Sequence, residues 1–504
     1  MLEIDNIKDI SSFMSHIKSF NKKIAIIYRN KHYTYQSLYN SSHAIANWFK
    51  VKNYKSIMFA TKNSPLTMSL YLGAWLSNTR NYAIGPRLLG QEILRIMENI
   101  SIDALIIEKK QLSLDLKRYC LERNIKIYTL ISHTIFLGSI ITKYRKKCLI
   151  FSNNDGNTIT YHMSSGTEKK PCFYGHTLSQ ILNYTYRRQF DLGLFTKDIT
   201  LVALSINHAY AFSYQFLISL ALGITMVLFC SFQEEKIIEA IKNYSVTSIA
   251  LLPIMYDRLC NYLEGYKNFF VHNLRYLSVA GDQPSYFLMK KVYRIFQKPL
   301  LNGIGMTEVY GYGQNLCFQR QLNKINYFKD FSIKLKPINL FLAKYGSIAI
   351  DKRFIPFLIN RNIDVGEIIL RSDMIPCNYS STSLNTGDIA YIDSSRNLYF
   401  LGRNKFIIVK GGSKISPLEI EFYLSQIPSL PQIIIVGKKD KVWGQLVCAC
   451  VLNSQKEITS LNFLNSYLLK FVAPYKKIDK IFFMEDFPLT SSGKVDRLSL
   501  SLLV

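Results

Sequence analysis

Short apolar runs and longer amphipathic stretches alternate along the first third of the chain. Residues 23–35 read as two strands joined at Arg29-Asn30-Lys31, with an amphipathic helix over 35–49 behind them. A strand at 56–60 leads to a helix over about 65–76. The alternation continues to about residue 150 and predicts a mostly parallel sheet covered by helices. The longest apolar run, 216–230, is too short for a membrane span and is broken by Ser219, Gly223 and Thr225. It reads as a buried helix, a glycine turn and a core strand. Residues 246–253 and 277–280 are further buried strands, and residues 366–368 open a small β-rich region.

Residues 386–421 change the pattern. Thr386-Gly387-Asp388 reads as a short polar turn ending in a carboxylate, and residues 398–401 as a buried strand. A polar joint follows at Gly402-Arg403-Asn404-Lys405, then an apolar strand over 406–409, the pair Gly411-Gly412, and Ser416-Pro417 capping an acidic helix start. A second domain begins here, with strands at 433–436, 446–452 and 480–484. The whole predicts a large α/β N-terminal domain, made of helix-covered sheets plus a small β-rich subdomain, and a small α+β C-terminal domain.

Composition narrows the function. At 504 residues the chain exceeds one core, and 48% hydrophobic residues with 13% aromatic make it globular. The net charge of +27 invites a nucleic-acid reading, but the charge is spread evenly and no basic arm or patch stands out. Nucleic acid is therefore not an expected partner, while an acidic protein partner is compatible. The nine cysteines are scattered. Cys448 and Cys450 fall on one face of an apolar strand, a spacing for neither a metal knuckle nor a redox pair. Reduced thiols and an N-terminus with early acids and no apolar stretch predict a cytoplasmic protein.

Four stretches carry chemistry. Asp388 is suited to two vicinal hydroxyls, the usual carboxylate grip on a ribose. Residues 164–171, Ser-Ser-Gly-Thr-Glu-Lys-Lys-Pro, follow a strand and supply Ser164, Ser165, Gly166, Thr167, Lys169 and Lys170 to a loop able to wrap a polyphosphate. On its own such a loop is more often a surface turn. In 301–308, Gly303 and Gly305 let a strand approach a flat ligand closely, and Thr307 and Glu308 present a hydroxyl and a carboxylate suited to a phosphate and its Mg²⁺. Lys494, on a glycine turn near the C-terminus, would alone read as a solvated surface lysine.

Taken in order, Ser-Gly-Thr, Thr-Glu, Thr-Gly-Asp, Gly-Arg-x-Lys, Gly-Gly and Pro-Leu-Thr-x₂-Gly-Lys resemble the adenylate-forming superfamily of acyl-CoA synthetases, luciferases and peptide-synthetase adenylation domains. The likeness covers essentially the whole chain. The Gly-Ile-Gly-x-Thr-Glu form is similar to that of benzoate-type CoA ligases. The phosphate loop departs from the family at three positions: Glu168 replaces a threonine, Lys169 a glycine and Cys172 a lysine.

The resemblance implies ATP and Mg²⁺ as cofactors and two half-reactions, in which an acid is adenylated and then passed to a thiol on CoA or on phosphopantetheine. It implies that Glu308 holds Mg²⁺, that Thr307 and Lys494 act at the α-phosphate and carboxylate, and that Asp388 and Arg403 hold the ribose. Gly281 and Asp282 fall where adenine is contacted. His208, Tyr210 and Ile304 would line the acid pocket, a structural histidine being an equal reading of His208. Lys405 is the implied hinge, giving an N-terminal domain over 1–402, a hinge over 403–405 and a mobile C-terminal domain over 406–504. Gly411 and Gly412 would line the thiol-arm channel. The expected partners are a small carboxylic acid and an acyl or peptidyl carrier protein or CoA, with no membrane span. Two alternatives stand beside the ligase: an enzyme that stops at the adenylate, and a catalytically impaired binding protein.

Overall fold

The computed structural model describes residues 9–144, 159–164, 172–264, 273–282, 284, 286–315, 324–327, 330–337, 364–392, 398–427, 430, 432–453, 459–490 and 495–504. The phosphate-loop residues 165–171 and Lys494 lie outside them.

Two sheets dominate. A six-stranded sheet runs in spatial order Lys126–Leu130, Ala104–Glu108, Ser56–Ala60, Arg80–Ala83, Ile159–Met163, Phe173–Thr177. Its strands are parallel except for the last. Among the described residues the second sheet has thirteen strands, and it changes character midway. From Leu300–Met306 through Tyr276–Val279 and Ser248–Leu251 it is parallel, whereas from Leu300–Met306 outward to Ser332–Pro337 every pairing is antiparallel. That antiparallel part contains the β-rich region expected from residue 366 but begins earlier in the chain, at strand Tyr310–Asn315.

Helix Pro65–Leu76 shows why the sheets stay together. Ser64 caps it by accepting from the Thr67 N–H, a proline opens its first turn, and all twelve residues are buried. A helix apolar on every side needs protein on every side. Its neighbour Tyr35–Val51 is amphipathic and buries Leu38, Ile45, Trp48 and Phe49 in the same core.

The C-terminal unit is a five-stranded sheet with helix Pro417–Leu424 on it. Its core is continuous with the outer face of the antiparallel strands, because Ile389, Tyr391, Tyr399 and Leu401 pack with Ile420, Leu424 and Ile435. Tyr391 and Tyr399 stack across the strands at 4.6 Å. Cys448 and Cys450 share one buried face of strand Gly444–Leu452.

Two local expectations change. Thr386-Gly387-Asp388 is not a turn but lies inside strand Leu384–Ile392, where Gly387 at φ +70° and a register shift between Ile389 and Ala390 bend the strand without ending it. Phe406 does not open a strand: Asn404–Phe406 form a 3₁₀ turn closed by the Ile407 N–H donating to the Asn404 carbonyl, and the strand begins at Ile408.

Candidate active site

A cavity of about 290 Å³ opens where strand Leu300–Met306 ends. Gly281, Gly303, Ile304, Gly305 and Thr307 line one side, and His208 and Tyr210 the other. A Cβ on Gly303 would sit 3.4 Å from that of Ala280, so the strand can face the cavity with bare backbone. Gly305 is needed for another reason. A Cβ there would come within 2.4 Å of the Tyr310 carbonyl, across the irregular pairing that begins after Ile304.

Behind Thr307 stands a polar cluster that does not line this cavity. Asp388 is paired in register with Arg403 on the adjacent strand. The Arg403 Nε lies 2.8 Å from one Asp388 oxygen, and the buried Tyr312 hydroxyl donates to the other at 2.8 Å. Asp388 is 1% exposed and Arg403 about a third exposed, so the cation is the outward member of the pair. The Asp388 carboxylate raises the Arg403 pKa, keeping the guanidinium charged. Burial, reinforced by Asp388, pushes the Tyr312 hydroxyl well up, which keeps its proton in place as a donor.

Glu308 joins the cluster from the turn that follows Thr307. Burial raises its pKa, opposed by a hydrogen bond from the Tyr174 hydroxyl and by the Arg403 charge. Its backbone carbonyl accepts from His176 Nε2 at 2.8 Å. Among the described residues no group of three or more His, Cys, Asp or Glu could hold a metal. Mg²⁺ still fits, because it commonly takes one or two carboxylates and completes its shell with phosphate and water.

The apolar end owes its shape to packing. Residues Phe212–Leu217 form a π-helix turn that presents Tyr214 beside Tyr210. The Tyr210 hydroxyl pairs with Ser278 Oγ at 3.0 Å. His208 follows Asn207, whose amide donates to the carbonyls of Thr61 and Ile84 at 3.0 Å each and ties this segment to the first sheet. Lys62, Arg87 and Arg258 also line the cavity, Arg258 being paired with Glu234.

The family description "AMP-binding enzyme" matches residues 13–327, and "AMP-binding enzyme C-terminal domain" matches 419–494. The chain belongs to the AMP-binding enzyme family. It is an adenylate-forming ligase of the acid–thiol class, whose members use ATP, Mg²⁺ and a thiol acceptor. It is 28% identical to the 2-succinylbenzoate–CoA ligase of Lactococcus lactis over 329 residues, 64% of this chain and 66% of that one. With the enzyme of the same name from Staphylococcus epidermidis it shares 24% identity over 95% of both chains. Among solved structures, the fold is similar to the Bacillus subtilis o-succinylbenzoate CoA synthetase in complex with ATP and magnesium, at TM-score 0.76, 19% identity and coverage of 97% and 98%. A benzoate CoA ligase from Burkholderia xenovorans gives TM-score 0.81, 16% identity and coverage of 98% and 99%.

In this AMP-binding enzyme the C-terminal unit reaches the cavity with one edge. Leu489 lines the cavity and pairs with Val495, the residue after Lys494. Arg497 anchors that edge through Glu421, at 2.5 and 2.8 Å. Asp282 does not line the cavity; its charge acts on Arg403, Glu421 and Arg497. Lys405 is exposed on the 3₁₀ turn and its charge acts on Asp496. Gly411 and Gly412 form the tight turn between Ile408–Lys410 and Ser413–Ile415, with φ +55° and +78°, and do not line the cavity. Ser164 ends strand Ile159–Met163, its N–H donating to the Cys172 carbonyl at 2.9 Å.

Sequence reasoning missed Tyr312, Tyr174, His176, Lys62, Arg87 and Leu489. For Tyr312 a signal existed: Tyr-Gly-Tyr-Gly at 310–313 alternates with period two, which puts Tyr310 and Tyr312 on one face of a strand. Among the described residues, no helix is long and apolar enough to cross a membrane.

Proposed function

We propose that this ligase converts a small aryl dicarboxylic acid of the 2-succinylbenzoate type to its CoA thioester through an acyl-AMP, acting in the cytoplasm. The observation that carries the reading is one apolar cavity, edged by Lys62 and Arg87, that ends at Thr307 beside the Asp388–Arg403–Glu308 cluster. Its volume suits a single aromatic acid, and the rim cations suit a second carboxylate. The names of the relatives point the same way.

In the first half-reaction the acid carboxylate attacks the α-phosphorus of ATP. A new P–O bond forms, the bond to the β-phosphate oxygen breaks, and pyrophosphate leaves. The Thr307 hydroxyl donates to the α-phosphate, while Lys494 bridges the incoming carboxylate and the ribose side. Ser164, Ser165, Gly166, Thr167, Lys169 and Lys170 hold the leaving phosphates. Asp388 and Arg403 hold the ribose hydroxyls, Arg403 with its outward donors. Glu308 would hold Mg²⁺, which would neutralise charge on the phosphates when bound. These groups place positive charge and donors where negative charge accumulates. In the second half-reaction the C-terminal unit, residues 406–504, turns about 403–405. Gly411 and Gly412 then meet the thiol arm, and the thiolate displaces AMP from the acyl carbon.

The test is thioester formation, followed by mass spectrometry, over a panel of aryl mono- and dicarboxylic acids with CoA or with an acidic carrier protein as acceptor. The reading expects CoA and a dicarboxylate to be preferred. Loading of the carrier with CoA left untouched would overturn the acceptor, and preference for benzoate would overturn the role of the rim cations.

A further inference from the structure

Tyr174 and His176 are two residues apart on strand Phe173–Thr177, so both face the same side of the sheet. Both reach Glu308. His176 Nε2 bonds its carbonyl at 2.8 Å, and the Tyr174 hydroxyl interacts with its carboxylate. A carbonyl only accepts, so Nε2 carries the ring proton. The turn they grip is an unfavourable one. Tyr310, two residues past Glu308, has φ +59°, the left-handed region that a bulky residue rarely adopts. Such a turn persists only where its surroundings fix it, and Tyr310 is fully enclosed, with the His176 ring 4.6 Å away and Tyr184 at 5.4 Å. Strand Phe173–Thr177 also follows the phosphate-loop segment directly in sequence, with Pro171 two residues before its start.

We propose that Tyr174 and His176 are positioning residues for the metal carboxylate. Tyr174 holds the orientation of the Glu308 side chain, and His176 holds the turn that carries it. The inference rests on the adenylate-forming reading, in which Glu308 serves Mg²⁺.

The experiment measures ATP binding to the full-length protein by calorimetry with and without Mg²⁺, no acid being present. Wild type should bind ATP more tightly with Mg²⁺. Tyr174→Phe should keep the Mg²⁺-free affinity and lose about tenfold of the Mg²⁺-dependent gain, the usual scale when a partner of a metal ligand is removed. His176→Leu should lose the gain likewise, and His176→Gln, which keeps an N–H at the Nε2 position, should recover most of it. A full Mg²⁺ gain in Tyr174→Phe, whatever its melting temperature, would overturn the clamp alone. Equal ATP affinity with and without Mg²⁺ in wild type would overturn the reading beneath it as well.

Discussion

The two ends of the site are built by different means. At the proposed nucleotide end, Asp388 and Arg403 stand on neighbouring antiparallel strands and Tyr312 reaches them from a further strand of the same sheet, so their contacts follow from register and charge. At the acid end, His208, Tyr210 and Tyr214 stand on a helical segment with a π turn, and glycines make the opposite wall. Ribose, phosphate and Mg²⁺ call for fixed residue types at fixed positions. An acid calls for a shape, which many side-chain sets can supply.

Substitution should separate the ends by size of effect. The largest change is expected for Asp388→Asn, which removes the charge partnering Arg403. Breaking a buried pair costs about 3–5 kcal/mol, and the third of Arg403 that is exposed brings the expectation to about 2–3 kcal/mol. Chemical denaturation reads that loss, and pyrophosphate release should fall by about a hundredfold with it.

The glycines should respond according to what faces them. A Cβ on Gly311 would meet the Tyr214 ring at 2.4 Å, so Gly311→Ala should destabilise by about 1–3 kcal/mol through overpacking. A Cβ on Gly303 has 3.4 Å to its nearest neighbour, so Gly303→Ala should leave the melting curve unchanged and raise KM for ATP or acid. Equal destabilisation by the two would dissolve the distinction between packed and ligand-facing glycine.

The smallest effect is expected from Tyr210→Phe. It removes one hydroxyl pair with Ser278, worth about 1 kcal/mol, and should change KM for the acid several-fold while KM for ATP stays put. A change in KM for ATP alone would assign Tyr210 to the nucleotide end.

The same contrast decides what the chain reveals before it is folded. The motifs holding Asp388, Arg403, Thr307 and Glu308 were legible because each is short and of fixed order, and the fold brings Asp388, Arg403 and Glu308 together. The helix over Pro65–Leu76 was legible in its bounds because a serine cap and proline open it and the apolar run ends with it. The neighbours that hold Asp388 and Glu308 were not. Tyr312 is 76 residues from Asp388, and His176 is 132 from Glu308, so only the pairing of strands brings them together. The turn expected at 386–388 failed for a related reason. Glycine with φ above zero ends many strands, but here Gly387 is held in one by its N–H donating to Glu367 at 3.1 Å and by the Thr386 hydroxyl donating to the Ile368 carbonyl at 2.9 Å.

Under the proposed function, the polar cluster and the cavity act together to adenylate an acid. Exchange of labelled pyrophosphate into ATP, with 2-succinylbenzoate present or absent, tests it most directly, with Lys494→Ala beside wild type. The account predicts exchange that requires both the acid and Mg²⁺ and falls by at least about a hundredfold in the variant. Exchange that ignores the acid, or that Lys494→Ala leaves intact, would contradict it.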